Sequence, residues 1–488
     1  MITFTVSLIC LILGYFLYGS FVERVIRPSD DTTKMPCYEK QDGVDYMPLP
    51  AWRVFLIQFL NIAGTGPIFG AIMGILFGPA AYLWIVFGCI FAGAVHDYLC
   101  GMICIRDGGV SLPEIIGNEL GPTMRLVMRI GAMVLLVMVG SVFVVTPAEL
   151  LDNMTLDNGW LFSKSFWIIL IFLYFILATL LPIDKLIGRV YPLFGFALLA
   201  MAVGICWGIY TQDGWMPEIT DAPFVSHHPK GLPIFPLLCI TIACGAISGF
   251  HGTQSPLMAR CLTNERLGRP VFYGAMITEG IVALIWAAAA VKFASTLPGP
   301  EGATAYEKLA ALGNPAIVVK EISTNWMGTA GAILAILGVV AAPITSGDTA
   351  FRSARLIAAD FLGYDQKSIQ HRLLLCLPFF AITTALFFID FTVLWRYFAW
   401  TNQTLACFML WAAAVWLTRR NYNCLIAFIP ALFMAVVTTS YIVSAPEGLG
   451  LPLYVGLAAG FGLMALQGFH YWRHIYHKPY NNQKPLNN

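Results

Sequence analysis

The chain has 488 residues, 58% of them hydrophobic and 11% charged, with a mean hydropathy of +0.74 and a formal net charge of +1. A soluble globular chain carries roughly 45–50% apolar and about 25% charged residues. The composition therefore excludes a soluble enzyme, a nucleic-acid binder, a disordered chain and a disulfide-rich secreted module, and leaves a polytopic membrane protein partnered by the lipid bilayer.

A crossing needs ~20 mostly apolar residues to span ~30 Å of hydrocarbon. Thirteen such runs fall at about 2–22, 54–77, 81–103, 126–147, 166–182, 189–210, 234–258, 271–296, 328–346, 372–388, 393–417, 424–443 and 452–473. No polar stretch between them is long enough to fold alone, so residues 1–488 read as one all-α integral-membrane domain. The first run lacks a basic flank and a small-residue cleavage motif, and it reads as a retained helix. Cys10, Cys89, Cys100, Cys239 and Cys407 lie inside apolar runs, as small core hydrophobes rather than a disulfide framework.

The second run contains FLNIAGTGPIFG (59–70), three glycines and a proline inside an otherwise apolar helix. Glycine and proline weaken a helix interior by ~1 and ~3 kcal/mol. In lipid, the backbone groups they free are tolerated only against protein or a wet cavity. Asn61, Gly64, Thr65 and Gly66 are the candidate binding residues there. The third run carries His96 and Asp97 at membrane depth. The seventh holds a second glycine-rich interruption, CGAISGFHGTQSP (244–256), with Ser248, His251, Gln254 and Ser255 as candidates. One such segment is equally a close helix–helix contact through small residues. Two of them, five runs apart, open five-helix units of opposite orientation, and that pairing points to a secondary-transporter site near the midplane. The helix breaks are expected near Gly64–Pro67 and Gly249–Gly252, facing each other.

Glu279 lies in the eighth run, and ionisable groups at that depth are functional candidates by default. The ninth run ends GVVAAPITSGD, where Pro343 removes a backbone donor and crowds the Val339 carbonyl. Hydroxyl and carbonyl oxygens are what a hard cation such as Na⁺ takes, so Ala342, Thr345 and Ser346 form a candidate sodium site, with Asp348 just beyond. In inverted-repeat transporters of the leucine-transporter type, an Ala-x-x-Thr-Ser sequence joins this helix to the first broken one. Thr-Ser pairs also occur as back-bonded helix residues. Asp97 and Asp348 have a duller reading as partners of Arg106 and Arg352. Trp84, Trp160, Trp167, Trp215, Trp326, Trp395 and Trp472 read as interfacial anchors.

Cytoplasmic loops are enriched in Lys and Arg. With the N-terminus outside and the C-terminus in the cytoplasm, the outer loops keep only Lys164, Lys230, Lys292, Lys308, Lys320 and Arg396 of the 28 basic residues. The others, among them Arg24, Lys34, Lys185, Arg189, Lys367, Lys478 and Lys484, fall inside. The outer loops hold acids such as Glu149, Asp152, Asp157, Asp213, Glu218 and Asp221.

FLNIAGTGPIFGAIMG (59–74), WIVFGCIFAGAVHDYL (84–99), RDGGVSLPEIIGNELGP (106–122), SGFHGTQSPLMARCLTNE (248–265) and APITSGDTAFRSARLIAADFLG (342–363) resemble, in order, the motifs of the carbon-starvation protein A family. The resemblance implies a bacterial inner-membrane transporter linked to carbon starvation that imports peptides or, in some members, pyruvate. The chain resembles the shorter members, since better-known ones continue with further helices. The expected layout is an extra helix and cytoplasmic loop (1–53), a first repeat (54–210), an inverted second repeat (234–417) and two C-terminal helices (424–473). Na⁺ or H⁺ is the coupling ion and no other cofactor is implied; His96, Asp97, His251, Glu279 and Asp348 suit the proton, Thr345 and Ser346 the sodium ion. The alternatives are an intramembrane enzyme built on His96, Asp97 and His251, which lacks a nucleophile beside a base, and a channel, which paired broken helices disfavour.

Overall fold

The computed structural model describes residues 1–43, 45–155, 161–180, 183–364, 368–389 and 391–476. Asp157, Trp160, Lys367, Lys478 and Lys484, and the side chains of Lys185 and Arg189, lie outside the described residues. No strand occurs among the described residues.

Helix α1 (Ile2–Ile26) leads through a strap, residues 28–50, to α2 (Ala51–Ile62) and α3 (Gly66–Gly74). Next come α4 (Ala80–Arg106), the short α5 (Leu112–Leu120), α6 (Pro122–Met154), α7 (Lys164–Leu180) and α8 (Ile183–Thr211). The second half runs through α9 (Leu237–Thr241), α10 (Gly249–Ala259), α11 (Gly274–Thr296), α12 (Pro315–Leu334), α13 (Ala341–Leu362), α14 (Ile369–Leu386) and α15 (Phe391–Arg419). Helices α16 (Leu425–Ser444) and α17 (Leu453–Tyr471) pair with each other at the end. Nine described helices are long and apolar enough to cross a membrane, and the bent pair α2–α3 makes a tenth. The other three expected crossings fall on the short α7, the interrupted α9–α10 and α15.

The first break lies where the sequence places it. Helix α2 ends at Ile62, Ala63–Thr65 leave the helix, and α3 restarts with Gly66 and Pro67 in its first turn, the axis bending by 46°. Proline is tolerated there because a first-turn amide has no helical partner to lose.

The second break is displaced from its expected position. The chain leaves the helix over Ile242–Ser248, and Gly249–Gly252 are helical, the first turn of α10. Gly245 is the residue that turns the chain, with φ of +93°, a region open to glycine and strained for other residues. The glycines after it serve close packing instead. Carbonyls freed by the short α9 are met by side chains: Trp84 Nε1 donates to Ile242 O at 3.0 Å, and the Gln403 amide donates to Cys239 O. Trp84 is thus a brace for the second break rather than only an interfacial anchor.

The two breaks face each other as expected. A Cβ on Gly66 would lie 2.4 Å from the Cβ of Cys244, closer than side chains approach. Helix α3 packs on α11, α10 on α4 and α15, and α13 on α6, so the breaks sit in the centre of the bundle. Pro343 does not interrupt its helix. A π-helical turn, Ala335–Val340, precedes it, and α13 then runs unbroken through Pro343. The wider turn accommodates a residue that cannot bond back to Val339.

Candidate functional site

Four ionisable side chains meet beside the second break, all of them fully buried. Helix α4 enters through a π-helical segment, Trp84–Gly93, and presents His96 and Asp97 just after it. His96 Nδ1 lies 2.8 Å from Asp97 Oδ1, and His251 Nδ1, from the first turn of α10, lies 3.1 Å from Asp97 Oδ2. The far nitrogen of His251 lies 3.4 Å from Glu279 Oε2 on α11. The row therefore runs His96, Asp97, His251, Glu279, with acid and base alternating. Isolated charges at this depth cost several kcal/mol each, and mutual pairing is what makes the cluster tenable. Arg106 does not pair with Asp97; it binds Glu265 at 2.9 Å. Arg352 lies 3.6 Å from Asp45, in the strap.

The second constellation joins α13 to the first break. Thr345 Oγ1 donates to Ala342 O at 2.7 Å, and the Ser346 hydroxyl lies 2.9 Å from Ala342 O and 3.1 Å from Leu60 O. Leu60 belongs to the last turn of α2, whose final carbonyls have no helical amide to accept from. The back-bonded geometry is present, and so is the link to the first broken helix. Asp348 is buried one turn farther along α13.

The remaining candidates divide between free and engaged. Asn61 and Thr65, both buried, have side-chain polar atoms with no hydrogen-bond partner among the described residues, and so does Gln254 Oε1. Buried polar groups without partners are rare and call for an explanation such as a ligand. The amides of Gly64, Thr65 and Gly66 lie at the start of α3, where helix amides point at whatever occupies the break. Ser248 and Ser255 are engaged structurally: Ser248 Oγ donates to Asn402 Oδ1 at 3.1 Å, and Gln58 Nε2 donates to Ser255 Oγ at 3.2 Å, tying α2 to α10. Asn402, Cys244 and Phe143 are the central residues that sequence reasoning misses. Phe143 packs against Gly64, with the rings of Phe250 and Phe398 at 5.9 and 6.3 Å. The Asn402–Gln403 pair inside an apolar run was a visible signal; Phe143 in a valine-rich helix carried none.

With this geometry in view, similarity to known proteins becomes decisive. The profile of the family described as carbon starvation protein CstA matches residues 1–156 and 144–299. The chain belongs to the CstA family. An "uncharacterized membrane protein" of Haemophilus influenzae is 46% identical over 343 residues, covering 60% of this chain and 91% of that protein. "Peptide transporter CstA" of Bacillus subtilis is 28% identical over 353 residues, 59% of this chain and 58% of the relative. "Pyruvate/proton symporter BtsT" of Escherichia coli is 26% identical over 337 residues, 56% of this chain and 46% of the relative. The chain thus spans about half the length of these named CstA-family transporters. In fold it is similar to the crystal structure of MhsT in complex with L-phenylalanine, with a TM-score of 0.52 at 15% identity, covering 85% of this chain and 98% of that one. That likeness identifies the all-α, leucine-transporter-type architecture, five helices plus five inverted, for this CstA-family member.

Proposed function

We propose that the chain is an ion-coupled secondary transporter that imports small carboxylates, either short peptides or pyruvate-like acids, across the bacterial inner membrane. The observation that carries this reading is the pair of helix breaks packed against each other at Gly66 and Cys244, with unpartnered Asn61 and Thr65 at the first. The substrate carboxylate would sit at the start of α3, where the amides of Thr65 and Gly66 and the positive end of the helix dipole attract an anion. A cation would sit at the end of α2, held by the Leu60 and Ala342 carbonyls and the Thr345 and Ser346 hydroxyls. The oxygen-only donor set suits Na⁺. Rocking the helices that carry the breaks against the rest would then expose the site alternately, in the layout of repeats 54–210 and 234–417. The family's name, carbon starvation protein, supports placing such import in cells starved of carbon.

Uptake by proteoliposomes of labelled dipeptides and of pyruvate, under separate Na⁺ and H⁺ gradients, tests this. Saturable, Na⁺-driven accumulation of one class is expected. Accumulation driven by H⁺ alone removes the sodium reading, and no accumulation of either class under either gradient removes the carboxylate-transport reading. Non-saturating flux would mark a channel, and bond cleavage an enzyme.

A further inference from the structure

We propose that Cys244, His251 and Glu279 form a binding site for a borderline-soft divalent cation of the Zn²⁺ class, set where the second break meets α10 and α11. Each ligand comes from a different segment: Cys244 from the break, His251 from α10 and Glu279 from α11. Their ligand atoms all lie within 4.8 Å of one another, and all three residues are buried. Tetrahedral Zn²⁺ with nitrogen and oxygen bonds of 2.0–2.2 Å separates those two ligands by about 3.4 Å. The separation between His251 Nε2 and Glu279 Oε2 is 3.4 Å.

The surroundings complete the arrangement. Asp97 engages His251 Nδ1 at 3.1 Å, which leaves the Nε2 lone pair aimed at the site, and His96 holds the other Asp97 oxygen at 2.8 Å. A carboxylate behind a histidine is the usual outer support of a metal-bound imidazole. Beyond their own 3.4 Å ion-pair contact, neither Glu279 oxygen nor His251 Nε2 reaches a hydrogen-bond partner of ordinary geometry among the described residues. A cation between them satisfies both. Thiolate and imidazole select Zn²⁺-like ions over Na⁺, Mg²⁺ or Ca²⁺. The thiol must lose its proton to bind, and thiolate plus carboxylate then neutralise the ion, which suits a site this deep in the bundle. An ion held by all three segments pins the break to α11 and arrests any motion of one against the other. The inference goes beyond the transport reading, and binding tests it whether or not that reading survives.

The purified full-length chain, stripped with a chelator, would be titrated with Zn²⁺ by calorimetry and with Cd²⁺ by ultraviolet absorbance. One equivalent of Zn²⁺ and a thiolate-to-cadmium charge-transfer band are expected. Cys244→Ser should abolish the band, and Cys100→Ser should change neither the band nor Zn²⁺ binding. Glu279→Gln, which removes a direct ligand, should weaken Zn²⁺ binding by at least the roughly tenfold that loss of an outer partner costs. A parent chain that binds no Zn²⁺, or a band that persists in Cys244→Ser, overturns the proposal. Should Cys244→Ser misfold, alkylation of the parent followed by peptide mass spectrometry decides: Zn²⁺ must protect Cys244, and equal labelling with and without Zn²⁺ overturns the site.

Discussion

Asn402 stands in an apolar stretch of α15, and its side-chain oxygen accepts from the Phe250 amide at 2.6 Å and the Ser248 hydroxyl at 3.1 Å. It supplies the cap that Ser248, the residue preceding α10, does not provide itself. Each buried donor left unbonded costs about 1–3 kcal/mol. Asn402→Ala should therefore lower the melting temperature of the purified protein, whereas Thr404→Ala, two residues on and bonded only to its own helix, should leave it nearly unchanged; equal melting of the two would remove the capping role. At the proposed cation site, Thr345→Ala with Ser346→Ala would delete two oxygen ligands while leaving small side chains. Each hydroxyl would coordinate the ion through an oxygen lone pair, so Na⁺ affinity should fall by roughly tenfold or more, about 1.4 kcal/mol or more. Gradient-driven uptake should fall with it and substrate counterflow much less. Uptake that keeps its full Na⁺ dependence in the double variant would leave the hydroxyls as helix-bending groups only.

At the scale of elements, the contact between the two breaks is testable by paired substitutions. Gly66→Ala places a methyl group 2.4 Å from Cys244 Cβ, so the breaks must part and uptake should collapse. Adding Cys244→Gly vacates that space, and recovery of uptake in the double variant, measured in the same vesicles, would show that the clash was the cause. The first break was legible because glycines and a proline interrupt an apolar helix within a few residues. The second was legible in existence but not in position. The sequence GAISGFHG has glycine at 245, 249 and 252, and composition does not say which one turns the chain; only Gly245 has positive φ. The π-helical turn before Pro343 was hidden for a related reason, since widening a helix by one residue leaves no compositional mark. Likewise His96, Asp97, His251 and Glu279 were each visible as costly groups in apolar runs, but their meeting depends on three helices crossing at one level, which spacing within a run does not encode.

Across the whole molecule, the placement of basic residues expects the strap and the α8–α9 connection on opposite sides. Lys34 and Lys230 are both exposed. Single replacements by Cys should label with an impermeant maleimide from opposite sides of the cell membrane; labelling from one side would show that the number of crossings between them is wrong. The strap itself is tied to the bundle, with Asp45 within 4 Å of Arg352 and Arg355 on α13 and Cys37 bonded to Leu262 O. Asp45→Asn should loosen it and raise the alkylation rate of Cys37. The first broken helix has a further consequence, an electrical one. Its three-residue gap sets a helix end that favours a cation beside one that favours an anion. If one monovalent cation accompanies each substrate, a monoanionic acid crosses with no net charge and is indifferent to membrane voltage. A zwitterionic peptide crosses with one positive charge and gains about 2.3 kcal/mol per 100 mV, a roughly 50-fold greater accumulation. Clamping the potential with a potassium ionophore would then separate the two substrate classes by voltage alone.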